Sequence, residues 1–476
     1  MPRRIFGEWL PDRPPHLNDG LVTADGVYAI QNGYAPLPQF AAAVNGTLAA
    51  ACIGASAYRA AGTAYVFAGT TSKLYTYTIA GYAEIKSGLT SSATAGYRFA
   101  NFNDLMLITN GADPVQKFDP ASPSATSDLD ASCPDLRFIT VVRGFVVGGY
   151  ADDDPLALAW SDNGDPTEWT PGTGEAGLQV LSTGGDITGL VGGEYGLIFQ
   201  ENRIVRMTYT ADDAVWQFDE IVTDIGCIAP WSLATSGRLT FFLSNKGWMA
   251  CDGVTVEAIG SEKIDRTFLN LLARTYIDNM SAACDPRTSL LYVAVPSSNP
   301  TTQVFIYNYS LQRWTTASVT AERIFPALSQ SINLEGLDAI YGNLDAIPVS
   351  LDSALFRGGY PLLMMFNGSH ALGTLSGSNM AATIVDSRLE PFPGSKARVT
   401  SVRPLGDASV GTVTVTVADS LADSGTPTVY SSRTAGGFFR TRASGNLVQV
   451  KREIPTAAVW SFCQGYDLDA MQGGRA

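Results

Sequence analysis

The chain has 476 residues, 45% of them apolar and 16% charged, with a formal net charge of −14. This is the composition of a folded chain with a large core, and it excludes a disordered one. The acidic balance also argues against gripping nucleic acid, because that affinity comes from Lys and Arg neutralising phosphates.

The opening segment Met1-Pro2-Arg3-Arg4-Ile5-Phe6-Gly7-Glu8-Trp9 has basic residues with no apolar run behind them, so it does not read as a secretory signal. In Phe6-Gly7-Glu8-Trp9-Leu10-Pro11-Asp12-Arg13-Pro14-Pro15 the prolines impose an extended chain. Residues 1–40 are therefore expected to form an extended N-terminal arm. Its large apolar residues either close the chain's own propeller or dock on a neighbouring subunit, and Phe6, Trp9, Leu10, Asp12 and Arg13 are its candidate partner contacts. No charge occurs between Asp25 and Arg59, but Pro36, Pro38 and Asn45 interrupt that stretch. It reads as an arm entering a buried strand, not as a membrane span.

From there a β-like run ending in an aromatic or Met, then a polar turn, recurs without being copied. Its anchors are Tyr77, Phe118, Trp160, Tyr209, Met249, Tyr307 and Phe366, at separations of 41, 42, 49, 40, 58 and 59 residues. Four-stranded propeller blades run about 40–50 residues, so residues 41–385 are expected to form a β-propeller of six or seven blades, the last two widened by insertions. In the fifth unit Arg238–Ser244, Trp248–Cys251 and Val254–Ile259 read as strands. In the sixth, Leu290–Val295 and Gln303–Tyr309 do. Between these units Ser261–Leu272 reads as a helix with Ile264, Phe268, Leu271 and Leu272 on one face and Ser261 as N-cap. Residues 326–385 alternate weakly and are expected to hold a last blade plus an excursion.

Residues 1–385 carry 21 Lys and Arg against 37 Asp and Glu, whereas residues 386–476 carry 10 against 8. That step places a domain boundary near Asp386. Beyond it Ala397–Pro404, Gly411–Val417, Phe438–Arg442 and Leu447–Lys451 alternate with period two, which predicts a small antiparallel sandwich over 386–476. The fold class is all-β throughout.

Residues with chemistry are few. The six cysteines have no CxxC pair and no metal-type spacing, and read as buried apolar residues of a protein made in a reducing cytoplasm. The two histidines, His16 and His370, have no nearby nucleophile, which argues against a His-based triad or a multi-His metal site. Gly184-Gly185-Asp186-Ile187-Thr188-Gly189 lacks both the P-loop lysine and the dinucleotide spacing. Asp152-Asp153-Asp154, and Asp162, Asp165 and Glu168, have oxygen ligands suited to Ca²⁺, but solvated turn carboxylates are the favoured reading. The stretch Ser161–Trp169 is similar to the Asp-box turn of sialidase propellers, with the Asp directly after the Ser, a structural device. No catalytic, cofactor or metal residue is assigned.

These features resemble a known family, the hub and nozzle proteins of short-tailed bacteriophages, of the tail tubular protein B and packaged-DNA stabilisation type. The resemblance rests on Phe6–Pro14, on Asn32-Gly33-Tyr34-Ala35-Pro36-Leu37, and on Ala159-Trp160-Ser161-Asp162 through Trp169. It rests also on Asn245-Lys246-Gly247-Trp248 with Asp252-Gly253, and on Tyr307-Asn308-Tyr309 with Arg313-Trp314. It implies a non-enzymatic virion protein of the tail, assembled in the host cytoplasm as a ring, of six copies by the family's habit, below the portal and adaptor. The ring continues the DNA channel, carries fibres or spikes, and lets DNA pass without reading its sequence. An acidic channel wall would let DNA slide. Two alternatives are a carbohydrate-binding receptor-recognition propeller and a propeller glycosidase acting on surface polysaccharide, which needs two carboxylates at a defined separation.

Overall fold

The computed structural model describes residues 3–14, 17–43, 46–78, 81–212, 214–272, 279–295, 303–329 and 358–475, with 277, 337–338, 342–343 and 345. Among the described residues, seven four-stranded antiparallel units follow one another around an axis. The first five are continuous in sequence: Gly54–Ser87, Arg98–Asp128, Leu136–Val180, Ile187–Thr223 and Ala234–Ala258. The sixth is Ser281–Cys284, Leu290–Val295, Gln303–Asn308 and Arg313–Ser318. The seventh takes three strands from Arg323–Asn379, and its outer strand is Pro38–Ala42, 330 or more residues from the strand Leu372–Asn379 it pairs with. The first strand of each of blades two, three, five and six packs on that of a neighbouring blade, and the seventh's on the first's, closing the ring. The chain is a β-propeller.

Each blade buries both faces. In blade six the second strand is accordingly a continuous apolar run, Leu290-Leu291-Tyr292-Val293-Ala294-Val295, buried at every position. The aromatic anchors sit between blades: Phe67 meets Phe118 edge-on at 4.9 Å, and Phe145 meets Trp216 at 4.9 Å. Anchors Tyr77, Phe118, Trp160, Tyr209, Met249 and Tyr307 all lie on third strands, whereas Phe366 lies on the second strand of blade seven. The separation after Tyr307 therefore mixes strand positions, and the one before it contains the helix Asp265–Leu271. This helix starts four residues later than expected, and Ser261 does not cap it. The excursion expected within 326–385 falls largely outside the described residues.

The expected division at residues 40 and 385 is corrected. Residues 3–36 are not a free arm but part of the second domain, a sandwich woven from both chain ends. One sheet is Val27–Ile30, Gly33–Pro36, Cys463–Arg475, Ser395–Gly406 and Phe439–Gly445, with Arg3–Ile5 added on Cys463–Arg475. The other continues blade six: Arg313–Ser318 pairs parallel with Leu21–Asp25, followed by Ala382–Asp386, Leu447–Ile454, Thr412–Ala418 and Thr426–Tyr430. Asp386, at the expected boundary, is fully buried within that sheet.

Candidate functional site

The residues singled out in the arm converge on a joint between the sandwich and blades five and six. Phe6, Trp9 and Leu10 are 3%, 5% and 4% exposed, so they are core residues of this chain and not free contacts for a partner. Trp9 donates its indole N–H to the Val22 carbonyl at 2.9 Å, and its ring lies 6.0 Å from Phe305 of blade six. Phe6 packs on Tyr466 at 5.9 Å, and the Tyr34 hydroxyl donates to the Gly7 carbonyl at 2.6 Å. From these contacts an aromatic chain runs inward: Phe305 to Phe268 at 5.0 Å, Phe268 to Trp248 at 5.4 Å, Trp248 to Trp314 at 6.0 Å, and Trp314 stacked on Tyr307 at 4.6 Å.

Asp12 caps a helix from the far end of the chain. Its carboxylate accepts from the Arg266 amide at 2.7 Å, the Thr267 amide at 2.8 Å and the Thr267 hydroxyl at 2.6 Å. These are first-turn donors that a helix leaves unpaired, so Asp12 performs the role expected of Ser261. Arg13 is the one arm residue of the five that faces solvent, paired with the exposed Asp19 at 3.1 Å.

Two carboxylates that sequence reasoning passed over brace the same joint. Asp265 accepts from the Trp248 amide at 3.0 Å, in a slot framed by two glycines. A Cβ on Gly260 would lie 1.9 Å from its Oδ1, and one on Gly247, which also has φ +112°, would lie 2.1 Å from its Oδ2. Burial pushes the Asp265 carboxyl up to about 6; the Trp248 amide opposes the rise and the neighbouring Asp12 adds to it. Asp386 accepts from Arg4 Nε at 3.1 Å, the Tyr466 hydroxyl at 2.7 Å and the Ser387 amide at 2.9 Å, which satisfies a wholly buried charge. The sequence signal for both was slight: Asp265 meets Trp248 from 17 residues away, and Asp386 meets Arg4 from 382 residues away.

Five of the candidate calcium carboxylates accept backbone amides, three within their own turns and two from residues 13 and 17 positions away. Asp152 accepts from the Asp135 amide, Asp154 from Leu156, Asp162 from Glu175, Asp165 from Thr167 and Glu168 from Thr170. Ser161 accepts from the Val146 amide at 3.0 Å, and Trp169 is buried with its indole N–H on the Pro166 carbonyl, so this stretch fastens a hairpin of blade three. Among the described residues, no three His, Cys, Asp or Glu gather as metal ligands. His370 Nδ1 lies 2.5 Å from Glu322 Oε1, whose other oxygen accepts from the Cys52 amide at 2.9 Å, where blade seven meets blade one. His16 lies outside the described residues.

Two concavities stand out. A groove of 1270 Å³ beside blades six and seven is lined by Tyr28, Asp285, Arg287, Asn308 and Ser376 among others; Asp285 is its single carboxylate among the described residues, paired with Arg287 at 3.4 Å. A smaller cavity of 380 Å³ lies on the propeller axis, walled by the innermost strands of blades two to five. Among the described residues, no helix is long and apolar enough to cross a membrane.

No protein-family profile and no curated protein matches the chain. Solved structures do. The WD40 domain of Pan2 from Neurospora crassa is similar at a TM-score of 0.38 and 10% identity, over 80% of this chain and 98% of that one. BamB from Moraxella catarrhalis is similar at 0.35 and 10%, over 68% and 96%.

Proposed function

We propose that this chain is a structural subunit of a short-tailed phage tail, a hub or nozzle protein that assembles as a closed ring of six copies. The ring continues the DNA channel below the portal and adaptor, carries fibres or spikes, and performs no catalysis. The observation that carries this reading is the joint. Phe6–Pro14, Asn32–Leu37, Asn245–Trp248 and Tyr307–Trp314, which carry the family resemblance and are scattered over three hundred residues, are joined there by the Tyr34–Gly7 hydrogen bond, the Trp248–Trp314 contact and the ring chain from Trp9 through Phe305 and Phe268 to Trp248. The Ala159–Trp169 stretch stands apart, in blade three.

A joint of this kind suits a ring subunit. Two β domains that share a continuous sheet, with both chain ends tied into one of them, resist relative motion when DNA is driven past. The acidic balance of the chain, −14, favours sliding over retention of a polyanion. The test is native mass spectrometry of the purified chain, alone and mixed with candidate portal and adaptor proteins. A six-copy ring, or one formed on the adaptor, is the expected result, and a strict monomer under both conditions would refute the reading.

A further inference from the structure

The axial cavity is cationic in an acidic protein. Its described lining is Arg98, Phe99, Phe138–Thr140, Gly189–Gly192, Leu233 and Thr235, with no Asp or Glu among them. The Arg98 guanidinium lies 3.5 Å from the Trp231 ring centroid, and that of Arg323 lies 3.9 Å from the same ring. Arg98 also sits 5.5 Å from the Phe138 ring centroid, with Arg137 at 5.6 Å from that ring. Three guanidiniums thus crowd around the Trp231 and Phe138 rings beside the cavity.

The two deepest differ in how they are satisfied. Arg323 donates from all three nitrogens to carbonyls of Ile53, Met280 and Ala93, at 3.1, 2.6 and 3.3 Å, and so ties together the segments that lead into blades one, six and two. Among the described residues, Arg98 donates only from Nη2, to the Pro230 carbonyl at 2.9 Å, while its Nε is buried with no partner. Burial, then repulsion from Arg323 and Arg137, pushes Arg98 down to about 9, and it is still charged at neutral pH. A desolvated guanidinium with no carboxylate among the described cavity residues, beside a cavity large enough for a small molecule, suits an anion.

We propose that the axial cavity is a binding site for a small oxyanion, a phosphate or carboxylate group, held by Arg98, with Thr140 of blade three and Thr235 of blade five also lining the cavity. The volume, 380 Å³, is that of a small-ligand pocket. Binding there would neutralise the place where like charges meet and tie blades two to five together. This site is independent of the ring assignment.

The test is thermal unfolding of the full chain titrated with inorganic phosphate, and separately with acetate, against chloride at matched ionic strength. A saturable rise in Tm is expected. A response to phosphate alone identifies a phosphate site, and a response to acetate as well identifies one that also accepts carboxylates, including a partner's side chain. Arg98→Met should weaken the apparent affinity more than about tenfold, since it removes one member of a desolvated charge pair. The same variant should raise the Tm without anion, because an unpaired charge is replaced by an apolar chain of similar volume. If Arg98→Met does not fold, Arg98→Lys serves in its place and should weaken phosphate binding by loss of the planar fork. Absence of any shift beyond chloride in the native chain overturns the site. Undiminished binding in the folded variant also overturns it.

Discussion

Replacing Trp9 with Ala asks whether the N-terminal segment is core or contact. The indole is 5% exposed, lies 6.0 Å from Phe305 and donates to the Val22 carbonyl at 2.9 Å. Truncating a buried Trp costs about 3–5 kcal/mol through lost transfer energy and the cavity left behind. Orphaning the Val22 carbonyl adds about 1 kcal/mol. A chain of this length unfolding as one unit has a melting entropy near 1 kcal/mol/K, so Tm should fall by about 4–6 °C. The assay is thermal unfolding of the isolated chain, with limited proteolysis reporting whether the sandwich opens first. Unchanged Tm together with lost self-association would refute the argument, because Trp9 would then act on a partner and not within its own fold.

Four further outcomes follow from the same joint and from the core. Asp265 keeps its proton in the folded chain between its ordinary value of 3.8 and about 6, where an unfolded Asp has lost it. Its contribution is therefore fully present below the lower value and lost as pH rises through the upper one, at most about 3 kcal/mol; urea midpoints at pH 5 and 7 should converge with this slope removed in Asp265→Asn. Gly260→Ala brings a Cβ to 1.9 Å from Asp265 Oδ1 and should cost about 1–3 kcal/mol in the same assay. Asp12→Ala removes three hydrogen bonds from the first turn of Asp265–Leu271, and should cost about 1–2 kcal/mol and speed amide exchange in that helix. Burial holds the Cys52 and Cys284 thiols up to about 12 and Cys463 up to about 11, so a thiol reagent at pH 8 should find no fast site among these three until the chain unfolds.

The legible part of this fold is local. Aromatic anchors such as Trp160 and Tyr209 revealed the blade repeat because each marks a third strand packed between two sheets, and the strands Gly247–Cys251 and Leu290–Val295 are bounded by turn signals in the sequence. Pairings between distant segments left no such mark. Pro38–Ala42 completes blade seven, and Leu21–Asp25 bridges blade six to Ala382–Asp386, yet neither strand contains anything that names its partner. The charge step near Asp386 was real as composition but not as a boundary, because the sandwich recruits the N-terminal strands as well. For the same reason Asp12 looked like a surface residue of an arm, when its partners lie 254 and 255 residues away. Arg98 gave no warning at all; its meaning depends on Trp231 and Arg323, which approach it only when the ring closes.

Single-particle imaging of the purified chain assembled with its adaptor tests the central proposal most directly. Six copies around a common axis, each with its sandwich fixed against blades five and six and an open lumen wide enough for duplex DNA, is the predicted result. Isolated propellers with no rotational assembly, or an assembly whose axis is closed to DNA, would contradict it.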